Sequence, residues 1–257
     1  LIFTPVLLAH RYTDPGSLLN SVIAFFSFSL AASSIYILND LFDLSADQHH
    51  PRKSKRPFAS GDLPITSGAM LFPLLVALSL SLAAFLPVQF LITLLTYFVI
   101  TTVYSWRIKQ VPVADVLTLA VLYSMRIVAG SVATSTPASG WFIEFAIFLF
   151  LSLALVKRTT ELKEIKDSGG DTHSQRERGY EVDDLPLLVG FGTAAGYIAV
   201  FVFTMYLGSD KVVELYTYPR LLWAFCPLLL YWITRIWHLA WRGKMNDDPL
   251  VFAAHDP

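Results

Sequence analysis

The sequence predicts an all-α protein, a polytopic bundle of transmembrane helices, and three observations carry that prediction. Only 15% of the 257 residues are charged while 54% are hydrophobic, against roughly 25% charged in a soluble domain. Apolar runs recur from end to end with no soluble block between them, which predicts a single transmembrane domain over 1–257. Basic residues fall almost entirely on alternate connections, as they do when loops sort between two sides of a bilayer.

The first stretch, Leu1 to Ala9, is already apolar and has neither a basic leader nor a small-residue cleavage site. It reads as the end of a first helix in a chain trimmed at both ends. A spanning helix needs about 20 apolar residues, and seven further runs qualify: 17–38, 65–86, 88–106, 113–135, 139–157, 184–207 and 219–240. Their limits carry Asp14-Pro15-Gly16, Pro87, Pro112, Pro137 with Gly140, Pro186 and Pro219. Proline lacks the backbone donor and disfavours helix at the residue before it, so these positions punctuate the runs.

If loop 39–64 is cytoplasmic and the spans alternate, then loops 39–64, 107–112 and 157–183 and the tail from Arg235 share one side. Fifteen of the nineteen Lys and Arg residues lie there. The positive-inside rule makes that side the cytoplasm, so the protein is expected in the cell (inner) membrane with its working face inward. Cys226, the one cysteine, lies in an apolar run as a packing residue. The tryptophans cluster near run ends as interfacial belts do. Gly190, Gly192 and Gly196 predict close helix packing.

Four polar groups remain. Asn39-Asp40-Leu-Phe-Asp43-Leu-Ser-Ala-Asp47 starts where run 17–38 ends. Its carboxylates share a face if the helix continues a turn or two. Three converging carboxylates repel one another unless a cation sits among them, and Mg2+ takes carboxylate oxygens together with substrate phosphates. The competing reading is a solvated acidic helix end, which the helix dipole disfavours. Next comes His50-Pro-Arg52-Lys53-Ser-Lys55-Arg56-Pro57-Phe-Ala-Ser60-Gly61. Alone this is a lipid-surface anchor; beside the carboxylates it is a grip for a diphosphate.

The third group is Lys157, Arg158 and Glu161 at the end of run 139–157. Glu164, Asp167 and Asp171 repeat the aspartate spacing and compete for the same role, although Gly169-Gly170 disfavours a helix beneath them. The fourth is Tyr123-Ser-Met-Arg126 within a span, where a guanidinium must face the bundle interior or a watery cavity. An interhelix ion pair is its plain structural alternative.

These motifs resemble the UbiA superfamily of intramembrane prenyltransferases. The resemblance rests on Asn39-Asp40-x-x-Asp43-x-x-x-Asp47 followed by Arg56-Pro57 and Gly61, then Tyr104-Ser105-x-x-x-Lys109, then Arg126-x-x-x-Gly130. It implies about nine helices, eight of them present, around a central cavity open to cytoplasm and lipid. Where most members carry a second aspartate motif, this chain has Lys157-Arg158-x-x-Glu161-Leu162. That variant is similar to the decaprenyl-phosphate phosphoribosyltransferase branch, which moves phosphoribose from phosphoribosyl pyrophosphate to a polyprenyl phosphate. The alternative is prenyl transfer from a polyprenyl diphosphate to an aromatic acceptor such as 4-hydroxybenzoate.

The resemblance implies Mg2+ as cofactor, held by Asp40, Asp43 and Asp47, with Asp40, Asp43 and Arg126 catalytic. It implies substrate contacts from Asn39, Lys53, Arg56, Tyr104, Lys109, Tyr123, Lys157, Arg158 and Glu161. The partners it implies are a polyprenyl lipid, a diphosphate donor or aromatic acceptor, and the bilayer, with no nucleic acid. The ending from Arg242 to Phe252 is similar to members fused to a phosphatase-like domain.

Overall fold

The computed structural model describes residues 1–49, 53–167, 179–209, 212 and 215–245. Among these the chain is helical, with no strand. A short helix α1 (Thr4–Leu8) precedes α2 (Pro15–Phe42), α3 (Leu44–His49), α4 (Pro57–Ser60), α5 (Ile65–Ala83) and α6 (Val88–Trp106). Then come α7 (Ala114–Ala133), α8 (Gly140–Asp167), α9 (Leu185–Leu207) and α10 (Phe225–Trp241). By length and composition six helices among the described residues can cross a membrane. The seventh expected span is divided into a 3-10 stretch, Pro219–Ala224, and the 17 residues of α10.

Local chemistry sets the limits of these elements. The Asp14 carboxylate caps α2 by accepting from the backbone N–H groups of Gly16 and Ser17, each at 3.2 Å, while Pro15 occupies the first helical position, where no donor is needed. The run expected at 139–157 extends ten residues further, to Asp167, because Glu161 to Lys166 are mostly strong helix formers although they are polar. Arg235, expected in a tail, lies inside α10.

Two compact units make up the chain: Leu1–Ser105 with Met125–Pro137, and Trp106–Ser124 with Ala138–Pro257. Helix α7 starts in the second and ends in the first. In the first unit α2 packs on α5, and its buried positions include the small residues Ser17, Ser21, Ala24, Ala31 and Ser34. Ser27 and Ser79, both fully buried, donate reciprocally to each other's carbonyl at 2.9 and 2.8 Å. Bilayer-embedded helices gain little from apolar contact alone, so close approach and such hydrogen bonds hold the pair.

In the second unit α8, α9 and α10 meet at a glycine notch. A Cβ on Gly192 would lie 2.1 Å from the Trp237 ring, and one on Gly196 would lie 2.7 Å from Ile233. Trp237 donates to Ser152 Oγ at 3.0 Å, and Ser152 donates to the Gly192 carbonyl at 2.7 Å. Trp237 is thus a core residue rather than part of an interfacial belt. Gly190, expected to pack closely too, faces open space.

Candidate active site

The aspartate motif lies in the first unit. Helix α2 stops at Phe42, but its ladder hardly breaks: Asp43 N–H donates to the Asn39 carbonyl and Asp47 N–H to the Asp43 carbonyl, each at 2.8 Å. The path continues into α3, as the carboxylate spacing requires. Arg56 arrives from the other direction. Its backbone is extended, Pro57 opens α4, and Gly61 closes that turn in the left-handed region at φ +85°. Phe58 seats the turn against α5, where Gly68 leaves it room; a Cβ there would meet the Phe58 ring at 3.0 Å.

One nitrogen of Arg56, Nη1, donates to Asp40 Oδ1 at 3.0 Å and to Asp47 Oδ2 at 2.7 Å. Asp40 and Asp47 therefore point at a common spot from two turns apart. Asp47 is almost wholly buried, with 3% of its side chain exposed, while the Arg56 side chain keeps 42%. Asp43 is half-buried at the joint between the helices. Asn39 Oδ1 is buried with no hydrogen-bond partner among the described residues.

A divalent ion suits this donor set. No three His, Cys, Asp or Glu side chains among the described residues are gathered closely enough to hold a metal. Mg2+ is usually bound by one or two carboxylates, with substrate phosphate and water completing its octahedron. Two converging carboxylates match that demand, and a cation, the guanidinium, already sits between them. Of Lys53 only the backbone is described, and His50 and Arg52 lie outside the described residues.

Arg126, also in this unit, lies 5.5 Å from the centre of the Phe28 ring and 5.6 Å from that of Tyr97. Its Nη2 reaches the Tyr97 hydroxyl at 3.5 Å. Two aromatic faces offer a guanidinium a favourable electrostatic setting at a depth where water is scarce. Tyr104 is half-buried in the last turn of α6.

The Lys157 group belongs to the second unit and divides there. Lys157 is exposed, whereas Arg158 is 2% exposed. Arg158 Nε donates to Asp115 Oδ2 at 2.6 Å, and its Nη1 pairs with Glu161. The Tyr180 hydroxyl donates to Asp115 Oδ1 at 2.5 Å and accepts from Val113 N–H at 2.8 Å. Burial first, then the neighbouring Asp115 carboxylate, pushes the Tyr180 phenol well above the ordinary tyrosine range. Arg158 is thus fixed inside a four-residue network, and Glu161 is its more exposed end.

Asp115 and Tyr180 are residues that sequence reasoning missed. A carboxylate inside the apolar run 113–135 was the available signal for Asp115; Tyr180 gave none. Tyr123 stacks on Phe150 with centroids 5.3 Å apart, and Lys109 is half-buried in the turn before α7. Glu164 and Asp167 continue α8, and Asp171 lies outside the described residues.

The family model described as UbiA prenyltransferase family matches residues 1–255. Nodulation protein NoeC of Azorhizobium caulinodans is 33% identical over 100% of this chain and 82% of its own length. An uncharacterized protein of Sinorhizobium fredii is 34% identical over 100% of this chain, which spans only 49% of that protein. A decaprenyl-phosphate phosphoribosyltransferase of Mycolicibacterium smegmatis is 34% identical over 60% of this chain and 49% of its own. Among solved structures, a UbiA homolog from Archaeoglobus fulgidus bound to DMAPP and Mg2+ has a TM-score of 0.75 at 18% identity, covering 98% of this chain and 88% of that one. That likeness concerns the fold.

Proposed function

The chain belongs to the UbiA prenyltransferase family, and on that premise we propose that it transfers 5-phosphoribose from phosphoribosyl pyrophosphate to a polyprenyl phosphate, releasing pyrophosphate. It is a multi-pass membrane transferase. The observation that carries the reading is the meeting of Asp40 and Asp47 at one nitrogen of Arg56. Such a grouping suits a ligand that is both metal-bound and polyanionic. The phosphoribosyl form draws support from the mycobacterial relative and from Lys157-Arg158-x-x-Glu161 standing where a second aspartate motif is usual in the family.

In this reaction the bond from the ribose anomeric carbon to the pyrophosphate oxygen breaks, and the pyrophosphate leaves with the electron pair. An oxygen of the lipid phosphate forms the new bond to that carbon. The attacking phosphate is already an anion, so no general base is needed. Asp40 and Asp47, with Asp43 beside them, would hold Mg2+, which when bound would supply charge neutralisation for the leaving group. Arg56, with Lys53, adds fixed positive charge to the pyrophosphate, and Asn39 binds the substrate beside them. Preorganised charge of this kind lowers a barrier because it need not reorient as the leaving group departs. Arg126 is held ready for the lipid phosphate. Tyr104, Lys109, Tyr123, Lys157 and Glu161 bind substrate, and Arg158 positions Glu161. The placement of basic residues supports an inner-membrane protein with this chemistry on its cytoplasmic face.

A two-armed assay of purified protein tests the proposal. One arm supplies phosphoribosyl pyrophosphate with polyprenyl phosphate; the other supplies polyprenyl diphosphate with 4-hydroxybenzoate. A lipid-soluble phosphoribosyl product in the first arm alone is expected. Product in the second arm alone assigns aromatic prenyl transfer instead.

A further inference from the structure

Arg56 stands where a metal ion would have to enter. Its Nη1 lies 3.0 Å from Asp40 and 2.7 Å from Asp47, so the two carboxylates already share a cation. We propose that Arg56 is an internal counter-ion that makes metal binding conditional on the diphosphate: the carboxylates take a divalent ion tightly only when a diphosphate draws the guanidinium away. The inference rests on the metal-binding role of Asp40 and Asp47 proposed above.

Charge and geometry supply the argument. Asp47 is nearly buried, and a buried carboxylate needs a cationic or hydrogen-bonding partner. Arg56 provides one while the site is empty of ligand. A bare divalent ion arriving alone must displace the guanidinium, yet the short path from Pro57 through the seated Phe58 keeps Arg56 close by. A single positive charge would then stand beside a double one, with no anion between them. A diphosphate removes that conflict. Its oxygens accept the planar fork of the guanidinium bidentately, and they would also complete an ion's coordination, which two carboxylates leave unfinished. The Arg56 side chain is 42% exposed, so it has room to turn from carboxylate to diphosphate. Metal and diphosphate therefore enter together, and metal alone leaves the site closed by its own ion pair.

Binding of Mn2+ to the detergent-purified full chain, followed by electron paramagnetic resonance, tests this without any turnover. The probes are Mn2+ alone and a preformed Mn2+–pyrophosphate complex. Wild type should hold the complex at least about tenfold more tightly than the bare ion, within the range of ordinary coupling energies. R56Q should bind the bare ion about tenfold more tightly than wild type and the complex more weakly. R56K, which keeps the charge but offers a single nitrogen and no planar fork, should fall between them; it serves as the second variant if R56Q is poorly folded. Bare-ion affinity unchanged in both variants, while D40N still abolishes Mn2+ binding, would overturn the counter-ion role and leave the metal site standing. Mn2+ binding untouched by D40N and by D47N would remove the metal site and this inference with it.

Discussion

Asp115 divides its two carboxylate oxygens between a guanidinium and a phenol, and both partners are buried with it. Few arrangements are so sensitive to a single atom, because a buried charge that loses its partner keeps its full desolvation penalty. The same network steadies a strained residue. Val113 has φ +67°, a left-handed conformation that a β-branched side chain rarely adopts and that costs on the order of 1–3 kcal/mol; its N–H is held by the Tyr180 hydroxyl. Tyr180→Phe should therefore lower stability by about 1–2 kcal/mol at neutral pH, measured by thermal melting in detergent. The sign of the pH dependence follows from the raised phenol pKa. A group whose folded pKa lies above its unfolded value stabilises fully below the unfolded value, about 10 for tyrosine. That contribution is lost as pH rises toward and through the folded pKa, so wild type and Y180F should converge in strongly alkaline buffer. The pairing of Arg158 with Asp115, 43 positions away, was not legible from sequence, nor was the hold of Tyr180 on Asp115, because tertiary folding alone brings these residues together.

At the scale of elements, the apolar runs gave helix order and approximate limits well, since hydropathy and proline act locally. They failed where a helix outruns its apolar core. Helix α8 continues to Asp167 on helix-forming polar residues, and there Lys163 sits 5.1 Å above the Trp241 ring of α10. Glycine roles were only partly legible, because spacing along one helix does not tell which face a partner covers. Gly192 and Gly196 face α10 and Gly190 does not. Substitution separates them. Gly192→Ala forces a methyl into the Trp237 ring and should cost about 1–3 kcal/mol, whereas Gly190→Ala meets nothing and should be neutral or stabilising by about 0.4–1 kcal/mol. Melting curves of the two variants in the same detergent should move in opposite directions, or only the Gly192 variant should move.

At the scale of the whole molecule, composition and the end-to-end recurrence of apolar runs were enough to establish a membrane helical protein, and the family match agrees. The acidic motif was readable only in part: Asp40 and Asp47 do converge as their spacing requires, but the expected meeting of all three carboxylates, Asp43 included, is not seen among the described residues. What the spacing could not reveal is that a guanidinium from beyond two intervening turns occupies their common point. Transfer as proposed needs those carboxylates to enable pyrophosphate to leave. Pyrophosphate release by purified protein with Mg2+, wild type against Asp40→Ala/Asp43→Ala, tests it most directly, using whichever donor pair is turned over and melting curves recorded in parallel. Release should fall at least about a thousandfold, some 4 kcal/mol of lost transition-state stabilisation, while melting stays close to wild type. Release within a few fold of wild type in a folded double variant would contradict it.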